Sequence, residues 1–475
     1  MNYLVEPLKN LQDYKILLQS IDENQSPIYL NGLIKESLGH FIYSIYNDTN
    51  KVILAIAEDE IQAKTIYEAI SSLDSDIVEY YPAKDINYYN IESIEDDIEK
   101  SRIRVMSRLI KKDNFIIVTT PFALQRKITK KSAFKNSSIT IDEDSVIDIE
   151  VLTQKLRHLQ YERVSTIESK GQFAIRGGII DIFPVQMDSP VRLELFDDEV
   201  DTIRTFNIET QRSIENINSF EITPCREMIF TEKQLEKIKK GLTKDVVRAE
   251  EFPKYGIDND KLVEKFRKIL DYLENDLYIS NTDFLIPYLN KTDYDLLQDY
   301  LPEKSIVFVE DMARVYDRNS DILKSHMSEM TYQVEKGEVF EKHEKVIAPI
   351  SDIIAKIKEH IAINSTSLLK KTRLLSPVIK LEIDTTEATN YNKNFEVLLE
   401  SVKKYSYDGY KVVIFAGSKT KAESLYDLFI KENIPVGIAT DLNIDIKTSQ
   451  VIISDMNMNS GFEYKDIKYL FITHK

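Results

Sequence analysis

The chain has 475 residues, 43% of them hydrophobic and 30% charged, with a formal net charge of −17. That length suits about three domains, and the composition is that of a globular protein and not a disordered one. The acidic excess excludes a surface that grips nucleic acid as a whole, because phosphate contacts need concentrated Lys and Arg.

A single cysteine, Cys225, excludes an internal disulfide framework and fits a reducing cytoplasm. No run of about 18 apolar residues predicts a membrane span, and the N-terminus has no secretory signal pattern. The 6 histidines show no metal-ligand spacing; His40 is read as a helix-face residue.

The apolar run Ile28-Tyr29-Leu30 predicts a strand, and the stretch from Gly32 to Gly39 follows it where a nucleotide-binding loop would sit. A working phosphate loop reads G-x-x-x-x-G-K-[ST]. Its glycines bring backbone N–H groups onto the phosphates, its lysine pairs with them and its hydroxyl holds Mg²⁺. Here Gly32 keeps the first place, while Ser37 stands for the second glycine, Leu38 for the lysine and Gly39 for the hydroxyl. The frame fits a nucleotide loop stripped of its charge. On the frame alone an ordinary strand-to-helix turn is the favoured reading, since such turns often need a glycine.

Val52 to Ala57 is the next predicted strand, and Glu60 to Leu73 a helix, with Ile61, Ala63, Ile66, Ala69 and Ile70 at helical spacing. Ile116 to Thr120, closed by Pro121, is another strand. Strands alternating with helices imply a parallel sheet covered on both faces, so residues 1–126 are read as the first part of an α/β domain. Residues 127–213 differ in texture and are read as an inserted β-rich module. Val191 to Phe196 alternates strictly, Asp197-Asp198-Glu199 marks a turn, and Val200 to Phe206 is strand-like.

Residues 214–380 return to α/β character, with a helix from Lys261 to Leu273 and a strand from Ser305 to Val309. That strand ends in Glu310-Asp311, where an ATPase would place Asp then Glu for Mg²⁺ and water. The inverted order is read as a charge pair capping the next helix. Residues 381–475 form a last small α/β unit, with strands at Tyr410 to Ala416, Val451 to Ile453 and Tyr469 to Ile472, and a helix from Lys419 to Glu432. Gly417-Ser418-Lys419-Thr420 lacks the upstream glycine of a phosphate loop, so Ser418 is read as a helix N-cap and the unit as a spacer. A stop at Lys475, directly after a strand, points to a piece of a longer protein.

The stretch Gly171-Gln-Phe-Ala-Ile-Arg176-Gly-Gly-Ile-Ile-Asp181-Ile-Phe-Pro184, followed by Arg192-Leu-Glu-Leu-Phe196-Asp-Asp-Glu199-Val-Asp-Thr-Ile-Arg204-Thr-Phe206, resembles a signature shared by two bacterial repair families. These are the excision-repair damage-verification subunit UvrB and the transcription-repair coupling factor Mfd. Three departures favour the second. Leu38 removes the lysine that an active UvrB loop needs. Tyr88-Tyr89-Asn90-Ile91-Glu92 leads straight into the acidic stretch Glu95 to Glu99, leaving no room for UvrB's DNA-clamping hairpin. Gln211-Arg212-Ser213, Gly461-Phe462 and Tyr469 to Thr473 look like the coupling factor's own pattern.

The fold class implied is a degenerate helicase-like (P-loop NTPase-like) parallel-sheet domain with an inserted β-rich module, then a small α/β domain. The resemblance implies that the module docks the damage-recognition subunit UvrA through Arg176, Arg192 and Phe196; whether Arg204 joins them is open. Alternation puts Val191, Leu193 and Leu195 on one face and Arg192, Glu194 and Phe196 on the other. An outward aromatic beside an arginine has the composition of an interface hot spot. Alternation alone leaves a second reading open, in which Phe196 packs under a loop and Arg192 pairs with Glu194 or Asp198.

The resemblance further implies no catalytic residue, metal or cofactor within these 475 residues. ATP and Mg²⁺ would serve motor domains of a longer protein, a DNA translocase that displaces stalled RNA polymerase. Polymerase and double-stranded DNA would be met by those further domains, in the cytoplasm and away from membranes. The alternative is a UvrB-type ATP-dependent damage-verification enzyme, which would bind ATP and hold DNA.

Overall fold

Short runs rich in Ile, Val and Leu, buried on both faces, make most strands of a seven-stranded parallel sheet, whose two edge strands are partly exposed. In chain order these are β1 (Ile28–Asn31), β2 (Ile53–Ile56), β3 (Val78–Tyr81), β4 (Ile116–Thr119), β13 (Ile306–Glu310), β14 (Ile361–Thr366) and β15 (Ile379–Glu382). Across the sheet they run β15-β1-β14-β13-β2-β4-β3. The computed structural model describes residues 2–85, 96–254, 257–275, 281–368, 374–389, 391, 394–439 and 441–474. The stretch Tyr88 to Glu92, which leaves a clamping hairpin no room in the sequence, lies outside them.

Alternate strand residues feed two cores. Leu54, Ile56, Ile117, Val307 and Val309 face one side; Ile53, Ala55, Ile116, Ile306 and Phe308 face the other. Helices α1 (Gln12–Asp22), α2 (Lys35–Thr49) and α3 (Glu60–Ser71) contribute to the second core, and α4 (Asp96–Lys111) to the first. α3 starts at Asp59, whose carboxylate accepts from the Gln62 N–H at 2.9 Å. It buries Ala63, Ile66 and Ile70. Ile61, expected on the same face, is exposed, because two residues before Ala63 is more than half a turn away.

Between β4 and β13 the chain makes a module whose strand pairs are antiparallel except the short parallel pairing of Glu162-Arg163 with Gln172-Phe173 at one edge. β5 (Ile139–Asp142) pairs with β12 (Ser219–Ile222). Within that frame lie β6 (Glu162–Arg163), β7 (Gln172–Arg176), β8 (Ile179–Ile182), β9 (Val191–Phe196), β10 (Glu199–Phe206) and β11 (Ser213–Asn216), adjacent in that order. The inner face of this sheet (Ile180, Val191, Leu193) belongs to the same buried cluster as β2, β4 and β13, so the module is seated on the α/β core. The chain leaving it is anchored by a buried ion pair, Arg102 Nε to Glu227 Oε2 at 2.6 Å, with Arg102 stacked 4.0 Å over the Tyr81 ring. Helices Glu232–Glu251 and Asn259–Glu274 follow and close a small core around Ile238, Leu242, Phe266 and Ile269.

The last unit is a second sheet, ordered β16 (Thr385–Glu387), β20 (Phe462–Tyr464), β21 (Tyr469–Thr473), β17 (Lys411–Phe415), β19 (Val451–Ser454) and β18 (Val436–Ala439). Helix Lys419–Lys431 is capped by Ser418 as its position before the helix indicated, with the Lys421 N–H 3.4 Å from Ser418 Oγ. Val413, Phe415, Tyr464, Tyr469 and Phe471 share a cluster with Phe41 and Ile42 of α2, so this unit packs onto the first domain through a common core. No helix among the described residues is long and apolar enough to cross a membrane.

Candidate functional site

The turn after β1 is shorter than a phosphate loop. Gly32, at φ +101°, bends the chain, and α2 starts at Lys35 after Ile34, so Ser37, Leu38 and Gly39 are helical and buried. A Cβ on Gly32 would lie 2.6 Å from the Ile383 carbonyl oxygen, which shows how closely residues 383–385 cross the turn. The Thr385 N–H donates to the Gly32 carbonyl at 3.1 Å. Thr385 Oγ1 accepts from the Ile34 N–H at 2.9 Å and lies 2.9 Å from Ser37 Oγ. Leu38 is in the core, and a Cβ on Gly39 would sit 2.6 Å from Ala69 Cβ, so glycine there permits close approach of α2 to α3. The anion-attracting start of α2 is therefore covered by the protein's own chain.

Lys35, beside the turn, pairs with Glu58 and lies 3.8 Å from Glu310. Burial pushes the Glu310 carboxyl up to about 7, with Lys35 pulling the other way. Asp311 caps helix Met312–Glu335, accepting from the Arg314 N–H at 3.4 Å. Only Asp311 performs the capping expected of the Glu310-Asp311 pair; Glu310 ends the central strand β13 beside Lys35. Among the described residues no group of three His, Cys, Asp or Glu could hold a metal ion.

His40 is on α2 and fully buried. Its Nε2 is 2.7 Å from the Leu4 carbonyl and its Nδ1 3.0 Å from the Tyr464 hydroxyl, so it ties the N-terminus to the last unit. Burial drops its pKa to about 4.

On the module the alternation of β9 holds. Val191 and Leu193 face the core, while Arg192 and Glu194 lie on the other side and Phe196 is 80% exposed. No loop covers Phe196, which stands at the hairpin turn formed by Asp197 at φ +60°. The Leu195 N–H donates to the Gly178 carbonyl at 2.9 Å, setting Phe196 beside the tight turn that follows Arg176.

Arg192 pairs with neither Glu194 nor Asp198. Asp181 lies directly opposite it on β8. Arg192 Nε donates to Asp181 Oδ1 at 2.6 Å and Nη2 to Oδ2 at 2.9 Å. Nη2 also donates to Gln211 Oε1 at 2.9 Å, and the guanidinium stacks 4.3 Å over the Phe206 ring. Glu194 is taken by Arg204. Arg176 reaches over from β7 to the same Asp181 carboxylate. Sequence reasoning missed Asp181; the available signal was a carboxylate in the middle of the apolar strand Ile179-Ile180-Asp181-Ile182.

The module matches the UvrB interaction domain family over residues 139–228. Along nearly its whole length the chain is similar to transcription-repair-coupling factors. It is 26% identical over 98% of its length to that of Bacillus subtilis, and 24% identical over 96% and 95% to those of Staphylococcus epidermidis and Staphylococcus aureus. It spans about two fifths of these relatives, 40%, 39% and 38% respectively. The chain is thus similar along nearly its whole length to transcription-repair-coupling factors, and the module set into its first α/β domain is similar to the UvrB interaction domain family.

Proposed function

We propose that this chain is a non-catalytic docking platform that recruits the excision-repair subunit UvrA to RNA polymerase stalled at DNA damage. One observation carries the proposal: on a module of the UvrB interaction domain family, Phe196 stands 80% exposed beside an arginine-bearing turn. A bare aromatic next to Arg is the composition of an interface anchor. Arg176, Arg192 and Phe196 are the residues proposed to form the UvrA surface.

The same proposal holds the turn at Gly32, Ser37, Leu38 and Gly39 to be silent toward nucleotide. Leu38 offers no cation to a triphosphate, and Thr385 takes the place at the start of α2 that a phosphate oxygen would need. ATP and Mg²⁺ then serve further domains of a longer protein, a DNA translocase that displaces the polymerase in the cytoplasm. Polymerase and double-stranded DNA are the partners of those domains.

The test is a pull-down of UvrA with this chain and with the variant Arg176→Ala/Arg192→Ala/Phe196→Ala. Loss of a buried aromatic or arginine anchor costs about 2 kcal/mol or more, roughly thirtyfold in affinity, so the variant is expected to retain no UvrA. Equal retention by both chains overturns the assignment. Calorimetry with ATP and Mg²⁺ is expected to show no heat of binding, and saturable micromolar binding would restore a UvrB-type enzyme.

A further inference from the structure

Asp181 is 1% exposed, yet it is bonded on the side of the sheet that bears Phe196. Its two oxygens serve two guanidinium groups. Arg192 takes both oxygens, adds Gln211 and stacks on Phe206, and only 14% of its side chain is exposed. Arg176 gives one nitrogen to Asp181 Oδ2 and keeps 46% of its side chain open. Arg204 and Glu194 neutralise each other next to them. Two arginines on one carboxylate leave this cluster one net positive charge, and it resides on the more open Arg176.

We propose that Asp181 is the positioning residue of this patch: it holds Arg176 beside Phe196, and Arg192 acts through Asp181 instead of touching the partner. The partner then presents a carboxylate to Arg176 and an apolar socket to Phe196, since a guanidinium held by one nitrogen keeps its other N–H groups free to donate. This rests on the reading that the module docks UvrA. It separates two residues the family resemblance treats alike, making Arg176 a contact and Arg192 a brace.

Two measurements on the whole chain test it. In the free chain labelled with ¹⁵N-arginine, Asp181→Asn is expected to release the restricted guanidinium rotation of both Arg176 and Arg192; unchanged signals overturn the positioning role. In binding to UvrA, Arg176→Ala is expected to cost roughly thirtyfold in the wild-type background and less than about threefold on Asp181→Asn, while Phe196→Ala costs the same in both. Equal cost of Arg176→Ala in both backgrounds overturns the proposal. If Asp181→Asn unfolds the module, Asp181→Asn/Arg192→Met leaves no lone buried charge and carries the same comparison. A wild-type chain that ignores UvrA, while both guanidinium signals respond to Asp181→Asn, overturns the docking reading alone.

Discussion

Gly32 and His40 show how single residues set this structure. Gly32 combines φ +101° with a carbonyl oxygen 2.6 Å from where a Cβ would be, so Gly32→Ala meets both backbone strain and a backbone collision. The variant is expected to lose about 2 kcal/mol or more, read as a lower denaturation midpoint. His40 and His343 are both buried, with pKa values dropped to about 4 by burial. The unfolded chain, with histidines near 6.5, binds more protons between pH 6.5 and 4, so stability falls as pH drops through that window. The linkage is about 3 kcal/mol per histidine. Glu310, raised to about 7, works with the opposite sign as pH falls from 7 toward its ordinary value, offsetting part of the loss. Denaturation midpoints at pH 7 and pH 5 are expected to show a net loss, smaller in His40→Asn; an equal loss in that variant would clear His40 of the effect.

Among the elements, those whose causes are local in sequence could be read in advance. Four strands of the parallel sheet (β1, β2, β4 and β13), the caps at Ser418 and Asp311 and the alternation of β9 each depend on neighbours within a few residues, whereas β3, β14 and β15 are not among the strands predicted from the sequence. The elements that depend on distant partners could not. Thr385 closes the start of α2 from some 350 residues away, a separation read directly from the sequence numbers. Arg192 finds Asp181 because of the β8–β9 register, which alternation does not supply. The Arg102–Glu227 pair binds α4 to the chain leaving the module, with both partners buried. Arg102→Met leaves Glu227 short of its closest cation, and such a loss costs about 3–5 kcal/mol. Hydrogen exchange is expected to speed up in residues 223–229 and in α4; protection unchanged from wild type would show that the pair does not tie them.

At the scale of the whole molecule, the four sheets of the described residues share two continuous cores. The module's inner face joins one side of the parallel sheet, and the last unit joins the other through α2. Truncation after residue 380 would expose Phe41, Ile42 and the bare start of α2, so the shortened chain is expected to aggregate or melt well below the full chain in a thermal scan. The chemistry-bearing surface is set apart from these cores, on the outer face of the module, where a rigid sheet carries Arg176 and Phe196 outward. On the proposed reading this fixed patch meets the partner, while the turn after β1 is closed by the protein's own chain.

Site-specific photo-crosslinking to UvrA tests that claim most directly. A photo-reactive phenylalanine analogue in place of Phe196 is compared with one in place of Tyr407, an aromatic that is even more exposed, at 92% against 80%, but lies on the last unit. The account predicts a covalent adduct with UvrA from position 196 and none from position 407. Adducts of equal yield from both positions, or from position 407 alone, would contradict it.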